Sequence, residues 1–232
     1  MNLKNRIEEF GLKTDCLEKL EQYRELLLSW NDKMNLTAIT EEDEVNIKHF
    51  LDSLSLFKTN YFDGSKSVID IGTGAGFPGI VLKIYNEDLN ITLFDSLNKR
   101  LLFLNDVIER LKLKDIYTLH GRAEEFGRKD THRECYDIAV SRAVANLTTL
   151  LEYDLPFVKV GGHFIAMKGP EYEEELKNSK TAIEILGGKL KEVIQIKLPS
   201  EITHYLIVIE KIKETPKKYP RAGGKPKNNP IR

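Results

Sequence analysis

The sequence DIGTGAGFPG occupies residues 70–79, and four of its ten residues are glycine. It follows a short β-branched run, SVIDI at Ser67–Ile71, and precedes an apolar segment, 80–85, that predicts a short helix. Glycines at a strand-to-helix turn let the backbone bend tightly and approach a ligand, and the first helical turn offers unpaired N–H groups. The stretch therefore predicts a ligand-binding loop.

Two ligands fit this loop. Residues 74–79 match GxGxxG, the dinucleotide fingerprint, with Asp95 about 20 residues further on. Residues 70–76 match DxGxGxG, the loop of S-adenosylmethionine (SAM) enzymes. A carboxylate suits the sulfonium and ammonium groups of SAM but not a pyrophosphate, so Asp70 favours SAM. Asp95 is predicted to bind ribose hydroxyls in either case. The predicted loop residues are Asp70, Gly72, Gly74 and Gly76.

The chain beyond residue 66 alternates between strand and helix patterns. Strands are predicted at 67–71, 90–94, 116–120, 136–140 and 163–167, and long helices at 97–111, 147–158 and 172–186. No long helix separates the last two strands, 191–198 and 205–210, so they are predicted to form a hairpin. This order predicts an α/β, Rossmann-like, class I SAM-dependent methyltransferase fold: a seven-stranded, mostly parallel sheet ending in an antiparallel hairpin.

The two ends of the chain differ from this middle part. Residues 1–64 read as a helical extension packed on the core, with apolar residues at helical spacing from Leu17 to Trp30, Asp15 as a candidate N-cap and a further helix over 42–57. Residues 65–213 form the predicted methyltransferase domain. Residues 214–232 carry four of the eight prolines and predict a basic extended arm.

Charge and composition exclude several classes. The net charge is −1, but residues 211–232 carry +7, so an acidic body of −8 precedes a basic tail suited to an anionic partner. No apolar run approaches the ~18 residues that span a membrane, and the N-terminus lacks a signal-peptide pattern. The two cysteines are far apart, and the five histidines show no metal spacing. We therefore expect a cytoplasmic protein without a bound metal.

Further site residues are predicted where other strands end, because ligands bind at the carboxyl edge of open sheets. Glu124, in the Gly121–Glu124 turn, could border an adenine ring or serve as a first-turn helix acid. Arg142, in the segment 141–144, is predicted to serve the site, with a structural ion pair as the alternative. Lys168 could contact nucleic acid or be an exposed lysine at a strand end.

Together these motifs resemble the bacterial 16S ribosomal RNA guanine-N(7) methyltransferase G family, also called glucose-inhibited division protein B. The resemblance extends in order from about residue 30 to the end of the chain. The segments that carry it are Trp30-Asn31, Asn35–Ile39, His49–Ser53, Asp70–Ile80, Asp95-Ser96, Lys99-Arg100, Phe103-Leu104, Gly121–Glu124, Tyr136-Asp137, Ser141–Ala145 and Lys217–Arg221.

The resemblance implies a SAM-dependent enzyme that methylates a guanine ring nitrogen in small-subunit ribosomal RNA. Carried over residue by residue, its cofactor positions are Gly72, Phe77, Asp95, Ser96, Leu97, Ala123, Glu124 and Arg142. Guanine N7 has a lone pair and no proton to lose, so in-line methyl transfer needs no general base, and Arg142 and Lys168 are candidates for positioning. RNA phosphates are predicted to contact Lys99, Arg100, Lys168, Lys217, Lys218, Arg221, Lys225 and Lys227. A monomer is expected.

Three alternatives remain open at this point. A nicotinamide-dependent oxidoreductase would share GxGxxG and Asp95, but it needs a proton-donating partner that does not stand out. A SAM enzyme acting on a small molecule or protein is opposed only by the basic tail. A non-enzymatic RNA-binding factor could retain the fold, although the intact glycine loop with Asp70 and Asp95 argues against a site that has lost its activity.

Overall fold

The computed structural model describes residues 2–142 and 145–231. Within them, seven strands form one mixed sheet: β1 Ser67–Ile71, β2 Asn90–Asp95, β3 Ile116–His120, β4 Tyr136–Arg142, β5 Val158–Lys168, β6 Gly188–Lys197 and β7 Thr203–Lys211. The order across the sheet is β3-β2-β1-β4-β5-β7-β6. The pairs among β1 to β5 are parallel, whereas β7 pairs antiparallel with β5 and β6. The predicted fold class and terminal hairpin are confirmed.

Helices cover both faces of the sheet. Those that follow β1 to β5 are α5 Gly79–Tyr85, α6 Asn98–Arg110, α7 Ala123–Phe126, α8 Leu147–Asp154, α9 Tyr172–Asn178 and α10 Lys180–Ile185. Alternate residues of each buried strand point to opposite faces, as strand geometry requires. Val68 belongs to one core, with α5, α6 and the N-terminal helices, whereas Ile69 belongs to the other, with α8 and α10.

The N-terminal region packs on the α5 and α6 side. Its elements are α1 Leu3–Glu9, α2 Leu17–Met34, α3 Glu42–Val45, a π-helical turn Asn46–Leu51, α4 Asp52–Leu54 and 3₁₀ turns at Ser55–Lys58 and Asn60–Phe62. The predicted cap at Asp15 is wrong, because α2 begins at Leu17 after Cys16, which makes no side-chain cap bond. The helix predicted over 42–57 is present as one continuous helical segment, in which the α pattern changes to π over 46–51, returns to α over 52–54 and ends as 3₁₀ over 55–58.

The helix predicted over 172–186 is also divided, into α9 and α10. Ser179 lies between them, and its hydroxyl donates to the carbonyl of Glu175 (2.7 Å) and lies 2.9 Å from the hydroxyl of Thr148. A serine that bonds back to the preceding turn bends a helix. The break keeps both short helices against α8.

The C-terminal segment is packed on the body, which differs from the predicted extended arm. Tyr219 and Ile231 are buried in the core beside α8, and residues 225–228 form a one-turn helix, α11. The hydroxyl of Thr149 on α8 donates to the carbonyl of Pro226 at 3.2 Å. Arg133 donates to the carbonyls of Thr215 and Tyr219. Proline excludes a long helix here but does not prevent irregular chain from packing.

Candidate active site

The glycine loop follows β1, and its three glycines at 72, 74 and 76 all have positive φ. A Cβ on Gly74 would have Gly72 O at 3.9 Å as its only neighbour within 4 Å among the described residues, and Gly74 lines a cavity. A Cβ on Gly76 would lie 2.8 Å from the hydroxyl oxygen of Tyr23 and 2.6 Å from Ile80. Gly74 therefore fits the predicted ligand role, whereas Gly76 permits close packing behind the loop.

Asp70 lies under the loop. Its Oδ2 accepts hydrogen bonds from the Thr73 hydroxyl (2.7 Å) and the Gly79 N–H (2.9 Å), and the residue is fully buried. Burial raises the pKa of Asp70 to about 6, although the bonds from Thr73 and Gly79 act in the other direction. The carboxyl group thus connects the two ends of the loop. The predicted ligand role would require Asp70 to line the loop cavity, and it does not.

Tyr23 of α2 reaches the same loop from the N-terminal region. Its hydroxyl donates to the carbonyl of Ala75, and its ring lies 5.3 Å from that of Phe77. Burial raises the pKa of Tyr23 well above its ordinary value, so the hydroxyl keeps its proton. Helical periodicity marks Tyr23 only as a core residue, so this contact has no signal in the sequence.

Asp95 closes β2 beside the loop. Its Oδ2 accepts from Gly74 N (3.0 Å) and lies 3.1 Å from Arg100 Nη1, and its Oδ1 accepts from Leu97 N (2.8 Å). Only 2% of the residue is exposed, yet it borders two cavities. The geometry is compatible with the predicted ribose contact, since each oxygen can accept further bonds.

Three adjoining cavities follow the carboxyl edge of the sheet. The loop cavity, about 400 Å³, lies against residues 72–77 and is bordered by Leu36 and Thr37 from the N-terminal region. The β3-side cavity, about 210 Å³, shares Gly72, Asp95 and Ser96 with it. The β5-side cavity, about 470 Å³, shares His49 and Arg142 with the loop cavity. Because parallel strands end at the same edge of the sheet, these three cavities lie side by side and form one cleft from β3 to β5.

Arg142 stands where the loop cavity meets the β5-side cavity. Its Nη1 lies 2.7 Å from Asp52 Oδ2 and 3.0 Å from the carbonyl of Lys48, and its guanidinium is 5.0 Å from the ring centre of Phe77. Burial acts to raise the pKa of Asp52, but the bonds from His204 and Arg142 outweigh it and hold that pKa below its usual value. Arg142 therefore lies between two of the cavities, as a site residue would, and its charge is paired with that of Asp52.

His49 lines both cavities beside this arginine. Its ring stacks on Phe77 with centres 4.4 Å apart, and its Nε2 lies 3.0 Å from the hydroxyl of Thr37. Burial, and next the charge of Arg142, lower the pKa of His49 to about 4, so the imidazole is neutral at physiological pH. A lone histidine gives no sequence signal for this position; His49 and Asp52 appeared only within the family resemblance.

The end of β5 supplies Lys168 to the β5-side cavity. Lys168 is only 9% exposed, so it is not the exposed strand-end lysine that the sequence left open. Its ammonium lies 2.7 Å from Glu175 Oε2 and 2.7 Å from the carbonyl of Ala145. Residues 143 and 144 of the predicted segment 141–144 lie outside the described residues.

The β3-side cavity holds the other predicted cofactor residues. Ser96, Ala123 and Glu124 line it, whereas Leu97 is 43% exposed and its N–H bonds Asp95. Lys227 of α11 also lines this cavity, although the sequence assigned that lysine to RNA. The C-terminal segment thus contributes to the wall of the cleft.

The remaining predicted RNA contacts divide into two groups. Arg100 is paired with Asp95, and Arg221 makes a two-pronged ion pair with the buried Glu152, with N–O distances of 2.7 to 3.1 Å. Both guanidiniums are thereby held by carboxylates, an arrangement that does not favour a phosphate partner. The exposed lysines of the predicted set are Lys99, Lys217, Lys218, Lys225 and Lys227.

The cleft fits SAM better than a dinucleotide. Gly74 offers open backbone, Asp95 offers a carboxylate, and the two arginines of the loop cavity are each paired with an aspartate. The Gly74 N–H is already bonded to the carboxylate of Asp95, an arrangement that suits a cationic donor better than a pyrophosphate. No group of three or more His, Cys, Asp or Glu suited to a metal occurs in residues 2–142 and 145–231. Nor does any helix there have the length and apolarity to cross a bilayer.

The sheet order and the glycine loop together define a class I SAM-dependent methyltransferase. M. jannaschii TYW2, solved in complex with AdoMet, shares this fold with a TM-score of 0.52 at 17% identity, over 69% of this chain and 77% of that one. More particularly, the chain belongs to the family of rRNA small subunit methyltransferase G, whose model matches residues 16–204.

Full-length relatives agree with this assignment. A protein of Alkaliphilus metalliredigens named Ribosomal RNA small subunit methyltransferase G is 57% identical over 235 residues, covering all of this chain and 98% of that relative. A protein of the same name from Clostridium botulinum is 54% identical over 215 residues, 92% of this chain and 90% of that relative. Membership excludes the nicotinamide-dependent oxidoreductase alternative.

Proposed function

We propose that this protein methylates N7 of a guanine in small-subunit (16S) ribosomal RNA, using SAM as methyl donor. The observation that carries the proposal is the cleft itself: in a chain of this family, the loop cavity shares His49 and Arg142 with a second cavity large enough for a nucleobase. The proposal includes the cytoplasmic location and monomeric state expected from the sequence.

The loop cavity and the β3-side cavity are the proposed cofactor site. Residues at or just after the ends of β1, β2, β3 and β4 would hold the cofactor: Gly72, Gly74, Phe77, Asp95, Ser96, Leu97, Ala123, Glu124 and Arg142. When bound, SAM supplies an electrophilic methyl group on a sulfonium. The part of this chain is to align donor and acceptor, which is worth roughly 7–11 kcal/mol of a barrier.

The electrostatics of the junction suit a reaction that moves positive charge onto a base. An unpaired arginine there would oppose the charge, but the carboxylate of Asp52 lies 2.7 Å from Arg142. His49 is neutral, and its Nε2 contacts Thr37, so this imidazole is not placed as a general base. Guanine N7 requires none, because it has no proton to lose.

The acceptor guanine has to be unpaired or turned out of its stack. In an A-form helix the N7 edge lies in a deep, narrow groove that side chains do not enter. A base extruded into a cavity exposes that edge. The exposed lysines at 99, 217, 218, 225 and 227 are proposed to hold flanking phosphates, so RNA affinity should decrease with salt.

Transfer of tritiated methyl groups from SAM tests the function. Small-subunit and large-subunit RNA, free and in particles from cells lacking this enzyme, would be incubated with the protein and digested to nucleosides. We expect label in 7-methylguanosine from small-subunit RNA only. Label in another nucleoside, or in large-subunit RNA to the same extent, would refute the proposal.

A further inference from the structure

The β5-side cavity contains an ion pair that the cofactor site does not use. Lys168 of β5 and Glu175 of α9 line the cavity, with Nζ and Oε2 2.7 Å apart. The cavity adjoins the loop cavity through His49 and Arg142, so a planar group within it lies next to the proposed donor site.

Backbone groups near the start of α8 hold the Lys168–Glu175 pair in place. Glu175 Oε2 also accepts from the N–H of Leu147 at 2.6 Å, and Lys168 Nζ also donates to the carbonyl of Ala145 at 2.7 Å. An ammonium has three donors, and a carboxylate has two oxygens. Among the described residues, no hydrogen bond uses Oε1 of Glu175 or the third donor of Lys168. One donor and one acceptor therefore remain side by side.

This arrangement matches one edge of guanine. Guanine presents the O6 acceptor next to the N1–H and N2–H₂ donors, whereas adenine presents an amino donor next to the N1 acceptor. An ammonium can bond O6 while the free oxygen of the adjacent carboxylate, which has two lone pairs, accepts from both N1–H and N2–H₂. The same pair would meet adenine with like groups facing each other, which costs affinity.

The carboxylate also suits the chemistry of transfer. As N7 gains the methyl group, the ring becomes cationic and its N1–H becomes more acidic. A hydrogen bond from N1–H to an ionised carboxylate therefore strengthens towards the transition state, which is the condition for raising the rate. The ammonium of Lys168 bonds O6, a neighbour of N7, but its charge is compensated by the carboxylate of Glu175 2.7 Å away.

We propose that the β5-side cavity receives the target guanine and that Lys168 and Glu175 read its O6, N1 and N2 edge. This assignment rests on the proposed function and adds the residues that select the base. Glu175 and Lys168 would contact the substrate directly.

The test compares Glu175→Gln with Glu174→Gln, an exposed neighbour on the same helix. The amide introduced by Glu175→Gln keeps an oxygen for the N–H of Leu147 but loses the charge. We expect kcat/KM for small-subunit RNA to fall by about 10- to 100-fold in Glu175→Gln, as for loss of a bidentate base contact. It should stay within twofold of wild type in Glu174→Gln. Both variants should bind S-adenosylhomocysteine as wild type does in calorimetry.

A change in the RNA separates direct contact from a structural effect. Inosine lacks the 2-amino group, and it would be placed by ligation at the modified position. The wild-type protein should methylate this RNA several-fold more slowly, and Glu175→Gln should cost less on inosine RNA than on guanosine RNA. Equal penalties on the two RNAs, or a Glu175→Gln variant as active as Glu174→Gln, would overturn the base-reading role while the proposed function stands. A wild-type protein that methylates no guanosine RNA would overturn both.

Discussion

Gly74 is the residue whose missing side chain keeps the loop cavity open. Gly74→Asp would add a carboxylate beside Asp95 at a positive φ that side chains rarely adopt. We expect the affinity for S-adenosylhomocysteine to fall at least about 100-fold in calorimetry, since steric, strain and charge effects act together.

Gly161→Asp is the matched control for this prediction. Gly161 also has positive φ, has nothing within 4 Å of a built Cβ and lines none of the three cavities. Its variant should keep wild-type affinity. A Gly74→Asp variant that still binds the ligand tightly would place the cofactor elsewhere.

Asp154 is a buried carboxyl group that resists ionisation. Its Oδ1 is hydrogen-bonded to the hydroxyl of Ser141 at 2.8 Å, and its Oδ2 has no partner among the described residues. Burial, together with the nearby Asp70, raises the pKa of Asp154 well above 3.8. The folded state therefore holds this proton more tightly than the unfolded state, and stability is lost as the pH rises above about 4.

Asp154→Asn should remove that loss, because the amide oxygen can still bond Ser141. In urea denaturation, the variant should gain stability relative to wild type as the pH rises from 4 to 7. A difference between the two proteins that does not change with pH would show that Asp154 ionises normally.

For single residues, the sequence predicted which ones lie at the loop and strand ends better than it predicted what they bond. The DxGxGxG pattern located Asp70 and Gly74 correctly on the first strand and its loop, and the spacing after the glycines located Asp95 at the end of the second strand. It could not show that Asp70 turns inward, or that Arg100 pairs with Asp95 instead of standing free for RNA. Such choices depend on distances between segments far apart in the chain.

The element that holds the glycine loop from outside the sheet is α2. Tyr23→Phe would leave the buried carbonyl of Ala75 without its hydroxyl partner, which costs about 1–3 kcal/mol. We expect that loss of stability in urea denaturation, and a several-fold weaker affinity for S-adenosylhomocysteine because the loop is less ordered.

Tyr117→Phe is the control, since Tyr117 is 57% exposed on the edge strand β3. It should change neither quantity. If Tyr23→Phe matched this control in both measurements, α2 would not position the loop.

Strand and helix periodicity predicted the central elements well, because buried strands and amphipathic helices repeat with distinct periods. The helix predicted over 42–57 shows what periodicity does not predict. Its apolar spacing is helical and the segment is helical throughout, but the turn over 46–51 widens to a π-helix. His49 lies in that turn and Asp52 directly follows it, and both contact Arg142, which periodicity alone cannot indicate.

For the whole molecule, the ion pair between Arg221 and Glu152 fastens the C-terminal segment to α8. Glu152 is fully buried, and it also accepts from the Arg221 N–H at 2.7 Å. Arg221→Ala would leave a buried charge uncompensated, so we expect a loss of about 3–5 kcal/mol in the free energy of unfolding. Lys218→Ala, in the same segment but exposed, should change it by less than about 0.5 kcal/mol.

An Arg221→Ala variant as stable as Lys218→Ala would show that the ion pair does not fasten the C-terminal segment to the body.

The basic charge of the tail predicted an anionic partner. It did not predict how the tail packs, because composition does not reveal that Tyr219 and Ile231 are buried in a core. The mostly parallel seven-stranded sheet and its terminal hairpin, by contrast, followed from the sequence, since helical connections between strands favour parallel pairing and a short connection favours a hairpin.

The most direct test of the central claim replaces one atom of the acceptor. Small-subunit RNA would carry 7-deazaguanosine, in which carbon replaces N7, at the single position that the wild-type protein modifies. We predict methyl transfer to the guanosine RNA and none to the 7-deazaguanosine RNA, with both RNAs competing equally for the protein. Methylation of the 7-deazaguanosine RNA at that position would contradict the account, because the acceptor would then be another atom.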